Sequence, residues 1–256
     1  MKNIALVDIL EKAGAIMYDN PEEALKMISG IKAKELNPED FYKLTMMKAD
    51  IFYHRNKFNQ AIRYYKKALV ILVQNRNEAE CYCHIGGCYY EKSQYSLALS
   101  YYKKALSLAE KKDRKTLGEI YHGLAVTYID IGKYDEALEY YMKIIDLYRN
   151  YETEFEKQQF ENAISSVASC YWKLGNEEKS EEYFQEVISI PNITPWILAI
   201  TYAHKAHRLL ENSQWSEALQ CYKKAISLTD CEENKKSWRK YIKICEKQLS
   251  HKGVTY

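Results

Sequence analysis

The chain has 256 residues, with 9 Gly and 4 Pro against 24 Tyr, and a formal net charge of +2. Sandwiches and barrels need a turn roughly every 8–12 residues, usually built on Gly, Pro or Asn, so this scarcity excludes them and leaves a mostly helical chain with short connections. The near-zero charge points to neither nucleic acid nor a membrane surface as partner.

The first predicted element, residues 1–36, reads as a degenerate helical hairpin broken at Asp19-Asn20-Pro21. Asp8 and Glu11 interrupt its apolar start, so it does not read as a signal peptide. Asn20 is a good N-cap, Pro21 suits the first helical position, and Glu22 and Glu23 sit on the positive end of the helix dipole. Asn37-Pro38-Glu39-Asp40 repeats the same start signal, and Thr194-Pro195 opens a later helix. No run of about 18 apolar residues occurs, so no membrane span is expected.

Between residues 38 and 230 one unit recurs five times. KFNQAIRYYKKAL (57–69), QYSLALSYYKKAL (94–106), KYDEALEYYMKII (133–145) and QWSEALQCYKKAI (214–226) align directly, and NEEKSEEYFQEVI (176–188) more loosely. With the shared small residue set at position 20, units start near Tyr42, Ala79, Gly118, Glu161 and Ala199. Position 8 then holds Gly86, Ala125 and Ala168 in the central units, and position 20 holds Ala61, Ala98, Ala137, Ser180 and Ala218. Position 24 holds Tyr65, Tyr102, Tyr141, Phe184 and Tyr222. Small residues belong where two helices cross closely, and aromatics fill the space beside the crossing. Of the 24 Tyr, 16 fall at positions 4, 11, 17, 23 and 24.

These residues resemble the tetratricopeptide repeat, a 34-residue helix–turn–helix unit. The resemblance implies an all-α, right-handed superhelical solenoid of antiparallel helix pairs, here as one continuous array domain. Start-to-start spacings exceed 34, and inserts such as QNRN, EKKDRK and RNYETEFEKQQ are rich in helix formers, so longer helices are expected. Residues 231–256 read as a capping helix and tail. Trp238, Tyr241, Ile242, Cys245 and Leu249 form one stripe, and Lys236, Lys240, Lys243 and Lys247 another. No aromatic alternates with the lysines, so that stripe reads as a solvated back, not a nucleic-acid patch.

Catalytic constellations are missing from the sequence. There is no GxSxG, HExxH, Gly-rich phosphate loop or CxxC motif, so an enzyme and a cofactor are not expected. The seven Cys, an odd number, fit reduced thiols in a cytoplasm. Cys81 and Cys83 lie two apart on one helix, where they do not face each other, so no metal is expected there.

In the family resembled, the first helix of each unit lines the concave face. That assigns a peptide-binding groove to Met46, Asp50, Tyr53, His84, Gly87, Tyr90, Glu119, His122, Asn162, Ser169, Trp172, His204 and His207. His84, His122, Asn162 and Glu119 would hold a ligand backbone, and Tyr90, Trp172 and Met46 its side chains. The histidines are spread over several units, so they read as hydrogen-bonding lining, not metal ligands. A chaperone-type carboxylate clamp would need Lys, Asn, Asn, Lys and Arg where this chain has Met46, Asp50, His84, Glu119 and Gly123, so that sub-function is not expected. The expectation is a non-enzymatic scaffold for a protein or peptide ligand, with a homo-oligomer left open. The alternative is a peptide-sensing regulator of a bacterial transcription or phosphorelay pathway, because lengthened repeats rich in Tyr, Lys and Ile are similar to the arrays of Gram-positive quorum-sensing regulators.

Overall fold

The computed structural model describes residues 2–32, 36–71 and 78–251, so the QNRN insert (74–77) lies outside it. Among the described residues there are thirteen α-helices and no strand. They are α1 (Lys2–Ile16), α2 (Pro21–Ser29), α3 (Pro38–His54), α4 (Phe58–Ile71), α5 (Glu78–Glu91), α6 (Tyr95–Leu108), α7 (Arg114–Asp130), α8 (Tyr134–Tyr148), α9 (Glu154–Lys173), α10 (Glu177–Ser189), α11 (Pro195–Glu211), α12 (Trp215–Ser227) and α13 (Glu232–His251). The chain divides within α7 into two compact units, Met1–Thr127 and Tyr128–Tyr256.

In the first unit α1 packs on α2, α3 on α4, and α5 on both α4 and α6. In the second, α9 packs on both α8 and α10, and α12 on both α11 and α13. The small residues sit at the crossings. Ala49 and Ala61 are sealed from solvent in the first unit, as are Ala206 and Ala218 in the second. Any larger side chain there would hold the helix axes apart.

One backbone feature recurs in every repeat. Asn56, Ser93, Gly132, Gly175 and Ser213 all occupy position 15 and all have φ between 55° and 76°. In each turn the next residue's N–H donates back to the position-11 carbonyl, as in Lys57 to Phe52 (2.8 Å), Asn176 to Tyr171 (2.9 Å) and Gln214 to Leu209 (2.8 Å). This closure satisfies a carbonyl that the helix end would otherwise orphan. It requires a left-handed residue, which Gly132 and Gly175 adopt without steric cost.

The tyrosines serve the same hairpins. Positions 11 and 23 form stacked pairs in four successive repeats: Phe52–Tyr64 (5.3 Å), Tyr89–Tyr101 (5.1 Å), Tyr128–Tyr140 (5.8 Å) and Tyr171–Tyr183 (5.5 Å). Cations cover several of these rings, including Lys92 on Tyr89 and Lys143 on Tyr140. Position 24 goes deeper, with Tyr65, Tyr102, Tyr141 and Tyr222 all buried.

Helix starts follow the capping signals. The Asn20 side chain accepts from the Glu23 N–H at 3.2 Å, and Asn37 from the Asp40 N–H at 2.9 Å. Thr194 precedes α11 but makes no such side-chain cap. Its N–H instead donates to the fully buried Glu161 carboxylate (3.2 Å), which also faces the Lys157 ammonium at 3.7 Å. The long insert before the fourth repeat partly joins α9, which runs for 20 residues. The EKKDRK insert largely forms the turn ahead of α7 instead. At the C-terminus α13 buries Trp238, Cys245 and Leu249 against α11 and α12 residues such as Leu209 and Tyr222.

Candidate functional site

In the first unit the relevant faces belong to the first helices α3, α5 and α7. The Tyr65 hydroxyl donates to Asp50 Oδ1 at 2.6 Å, and the Tyr65 ring stacks on His84 with centroids 5.1 Å apart. His84 Nε2 lies 3.9 Å from Glu80 Oε1, while Glu80 Oε2 accepts from the Tyr42 hydroxyl at 3.2 Å. Burial pulls the imidazole down, but Glu80, Asp50 and Glu119 together outweigh it and raise His84 above the ordinary range. Burial pushes the Asp50 and Glu119 carboxyls up, partly offset by His84. The contact with His84 holds Glu80 low. One helical turn further, the Tyr53 hydroxyl donates to Glu91 at 3.2 Å, and Tyr90 meets Tyr95 at 5.9 Å.

The glycines of this unit have separate jobs. A Cβ on Gly123 would lie 2.4 Å from the Tyr102 ring, and one on Gly86 would lie 2.9 Å from it. Both positions are therefore empty so that Tyr102 can lie across them. A Cβ on Gly87 would meet nothing nearer than the Tyr102 hydroxyl at 3.7 Å and the Tyr53 ring at 3.9 Å. Gly87 is thus a half-buried window between two tyrosines.

The second unit holds a cleft of about 450 Å³ on α9 and α11. Its apolar walls include Ile129, Tyr134, Phe184 and Trp172. The Trp172 indole N–H donates to Glu211 Oε2 and the Lys173 ammonium to Glu211 Oε1, both at 2.8 Å. Those two donors, Lys173 first, hold Glu211 below the usual carboxylate range. Along the floor, Ser169 Oγ lies 3.0 Å from His204 Nδ1 and Ser165 Oγ 2.8 Å from Thr201 Oγ1. Crowding by the cleft walls and the neighbouring His207 lower His204 to about 4, although the residue is exposed to solvent. His207 is lowered by burial, edge-on to Tyr241 at 4.5 Å and Tyr222 at 5.5 Å. Both imidazoles are therefore neutral hydrogen-bonding groups near neutral pH.

A second charged knot supports the cleft from the side. Arg208 pairs with Glu181 and donates to Ser180 Oγ at 2.6 Å, while Lys205 donates to Glu181 at 2.6 Å. Lys205 lies 4.0 Å over the Phe184 ring and Arg208 5.5 Å over Trp172. These contacts fix the plane of the indole at the cleft mouth.

The structure brings together Ser169, Trp172, His204 and His207 of the residues expected on the groove. Asn162 is half-buried on α9 and does not line this cleft. In the first unit Asp50 and His84 meet through Tyr65, while Tyr53, Gly87, Tyr90, Glu119 and His122 are half-buried along the same helices. Met46 differs from the expectation. Only 8% of it is exposed, and its sulfur faces Cys81 Sγ at 3.6 Å, so it is a core residue beneath the face. Lys205 and Arg208 were not expected. The signal was Lys205 at position 7, where the central repeats carry Ile85, Leu124 and Val167.

Buried Cys81 and Cys88 are pushed up to about 12, which keeps them as thiols. No group of three or more His, Cys, Asp or Glu is placed to hold a metal ion among the described residues. No described helix is long and apolar enough to cross a membrane.

Comparison with known proteins adds three findings. Models described as tetratricopeptide repeat match residues 42–111, 118–151 and 163–193. A search of curated proteins by sequence finds no match. Among solved structures, the apo quorum sensor NprR from B. thuringiensis is 17% identical, with a TM-score of 0.71 over 97% of this chain and 71% of that one. The apo form of RapI is 16% identical, with a TM-score of 0.70 over 98% and 76%. YrrB, described as a TPR protein with an unusual peptide-binding site, is 19% identical, with a TM-score of 0.51 over 77% and 91%.

Proposed function

Because the chain belongs to the tetratricopeptide repeat family, we propose that it is a non-enzymatic binding module for a segment of a protein or peptide partner. The observation that carries this reading is the cleft on α9 and α11, where an indole, two neutral imidazoles and a row of hydroxyls share one concavity. Such a mixture suits an extended chain. Ser169 and His204 offer hydrogen bonds to a ligand backbone, and Trp172 with Phe184 offers apolar cover for a side chain. The charged groups around them are already paired, so they orient the lining and do not act as acid or base.

A positional-scanning pool of dye-labelled octapeptides, read by fluorescence anisotropy, tests it. Selected pools should bind the wild type and lose on the order of tenfold in affinity with Trp172→Ala, the loss typical of an interface anchor. Equal affinity for wild type and variant would remove the cleft from the account.

The likeness to NprR and RapI supports a second reading, a peptide-sensing regulator or the sensor part of one. A solved NprR complex is described as holding its cognate peptide. On that reading, peptide binding raises the melting temperature and alters the oligomeric state, which light scattering with the selected pool would report.

A further inference from the structure

At position 24 two of the four buried tyrosine hydroxyls find a partner on a first-helix face. Tyr65 donates to Asp50, at position 9 of its own repeat. Tyr141 bonds to Ser166, at position 6 of the next. Tyr102 has neither option, because both corresponding positions are glycine, Gly87 and Gly123. Its side chain is only 5% exposed, no side-chain hydrogen bond acts on its hydroxyl, and that oxygen is not sealed away as the Tyr222 hydroxyl is. Tyr222 lacks a partner, but it is sealed beneath the Tyr241 ring and open to no ligand. The Tyr102 hydroxyl instead reaches the Gly87 window on α5.

One turn away on the same helices stand the carboxylates. Gly87 follows His84 on α5, and Gly123 follows Glu119 on α7. Asp50, Glu80 and Glu119 all act on His84, and Glu91 closes the other side through Tyr53. His84 and Lys115 oppose these acids, and His54 acts on Asp50 as well. Glu80, His84 and Glu119 keep about a third of their side chains in contact with solvent (33%, 32% and 32%), so a ligand can reach them.

We propose that this face of the first unit is a subsite for a Lys or Arg side chain of a bound peptide, whose backbone crosses Gly87 and takes the Tyr102 hydroxyl as a hydrogen-bond donor. The missing side chain at Gly87 lets a backbone approach closely. The hydroxyl supplies a donor for a peptide carbonyl, and the desolvated carboxylates supply charge that an incoming cation neutralises. Neutral and acidic side chains leave that charge uncompensated. This inference rests on the peptide-binding reading above and adds to it a preference for basic sequence.

The test compares octapeptide pools fixed at each position as Lys, Arg, norleucine or Glu, against wild type, Asp50→Asn/Glu119→Gln, Tyr102→Phe and Trp172→Ala, each checked for folding by circular dichroism. Wild type should favour Lys or Arg over norleucine by roughly tenfold at one position, an electrostatic gain that falls with added salt. Asp50→Asn/Glu119→Gln should abolish that preference, and Trp172→Ala should keep it. Tyr102→Phe, which loses one oxygen, should weaken all pools alike. Should the double variant fail to fold, Glu119→Gln alone should still halve the preference or better. Peptide binding with no basic preference, or a preference untouched by these variants, overturns this subsite and leaves the peptide-binding reading standing. Binding to no pool at all overturns both.

Discussion

The two units build the same hairpin and finish its first-helix face differently. In the first, glycine at Gly86, Gly87 and Gly123 makes room for one buried tyrosine between α5 and α7, and acids gather around an imidazole whose pKa they raise. In the second, the corresponding positions carry Ala168, Ser169 and Ser166, and these small polar side chains floor a cleft with neutral imidazoles. One fold thus supports an acidic, closely packed face and a neutral, hollow one. What decides between them is side-chain volume at three positions per repeat, not helix geometry.

The most forceful way to break this contrast is a methyl group at Gly123. Its Cβ would sit 2.4 Å from a buried ring, so Gly123→Ala should cost about 2–3 kcal/mol despite the better helix propensity of Ala. Gly87→Ala, with contacts no nearer than 3.7 Å, should be close to neutral for folding. Thermal unfolding with hydrogen exchange on α5 and α7 would show the difference, and equal melting temperatures would refute the packing role given to Gly123.

Acid sharpens the contrast next, because the imidazoles of the two faces move in opposite directions. His84 is raised above the ordinary imidazole value of 6.5, so its contribution is complete below that value and lost as pH rises through the folded one. Asp50 and Glu119, also raised, likewise favour folding on acidification, while half-buried His122, lowered by desolvation, opposes them. His204 and His207 are lowered, so the stability they confer is present above about 6.5 and is lost as pH falls toward 4. Titration of the histidine ring protons by NMR should find His84 the last to deprotonate and His204 the last to protonate. The reverse order would contradict both descriptions.

The smallest effect probes what the units share. Ser93 and Ser213 hold left-handed backbone at position 15, where Gly132 and Gly175 already stand in their own repeats. Ser93→Gly and Ser213→Gly should each stabilise by about 0.5–1 kcal/mol, one in each unit. Denaturant midpoints would reveal it, and destabilisation by either would show that these turns depend on the serine side chain.

The hairpins were readable because their code is volume. Ala, Tyr and Gly recur at a fixed spacing, and the helix crossings accept little else. Trp172, His204 and His207 were readable for a related reason, since the repeat register places first-helix residues on one side. Met46 was not, because register fixes direction along a helix but not depth, and Cys81 and the neighbouring helices close over it. Lys205 and Arg208 were hidden by distance, for their partner Glu181 stands more than twenty residues earlier on α10. The Tyr102 hydroxyl could not be seen at all, because its setting depends on two glycines from different helices meeting around one ring.

The claim that a peptide occupies the first-helix face is tested most directly by photo-crosslinking. An octapeptide pool carrying benzoylphenylalanine, bound, irradiated and mapped by mass spectrometry, should place its adducts on first helices, on α9 and α11 around Trp172, His204 and His207 or on α5 and α7 around Gly87. Adducts confined to the outer helices α10 and α12, or none under saturating peptide, would contradict it.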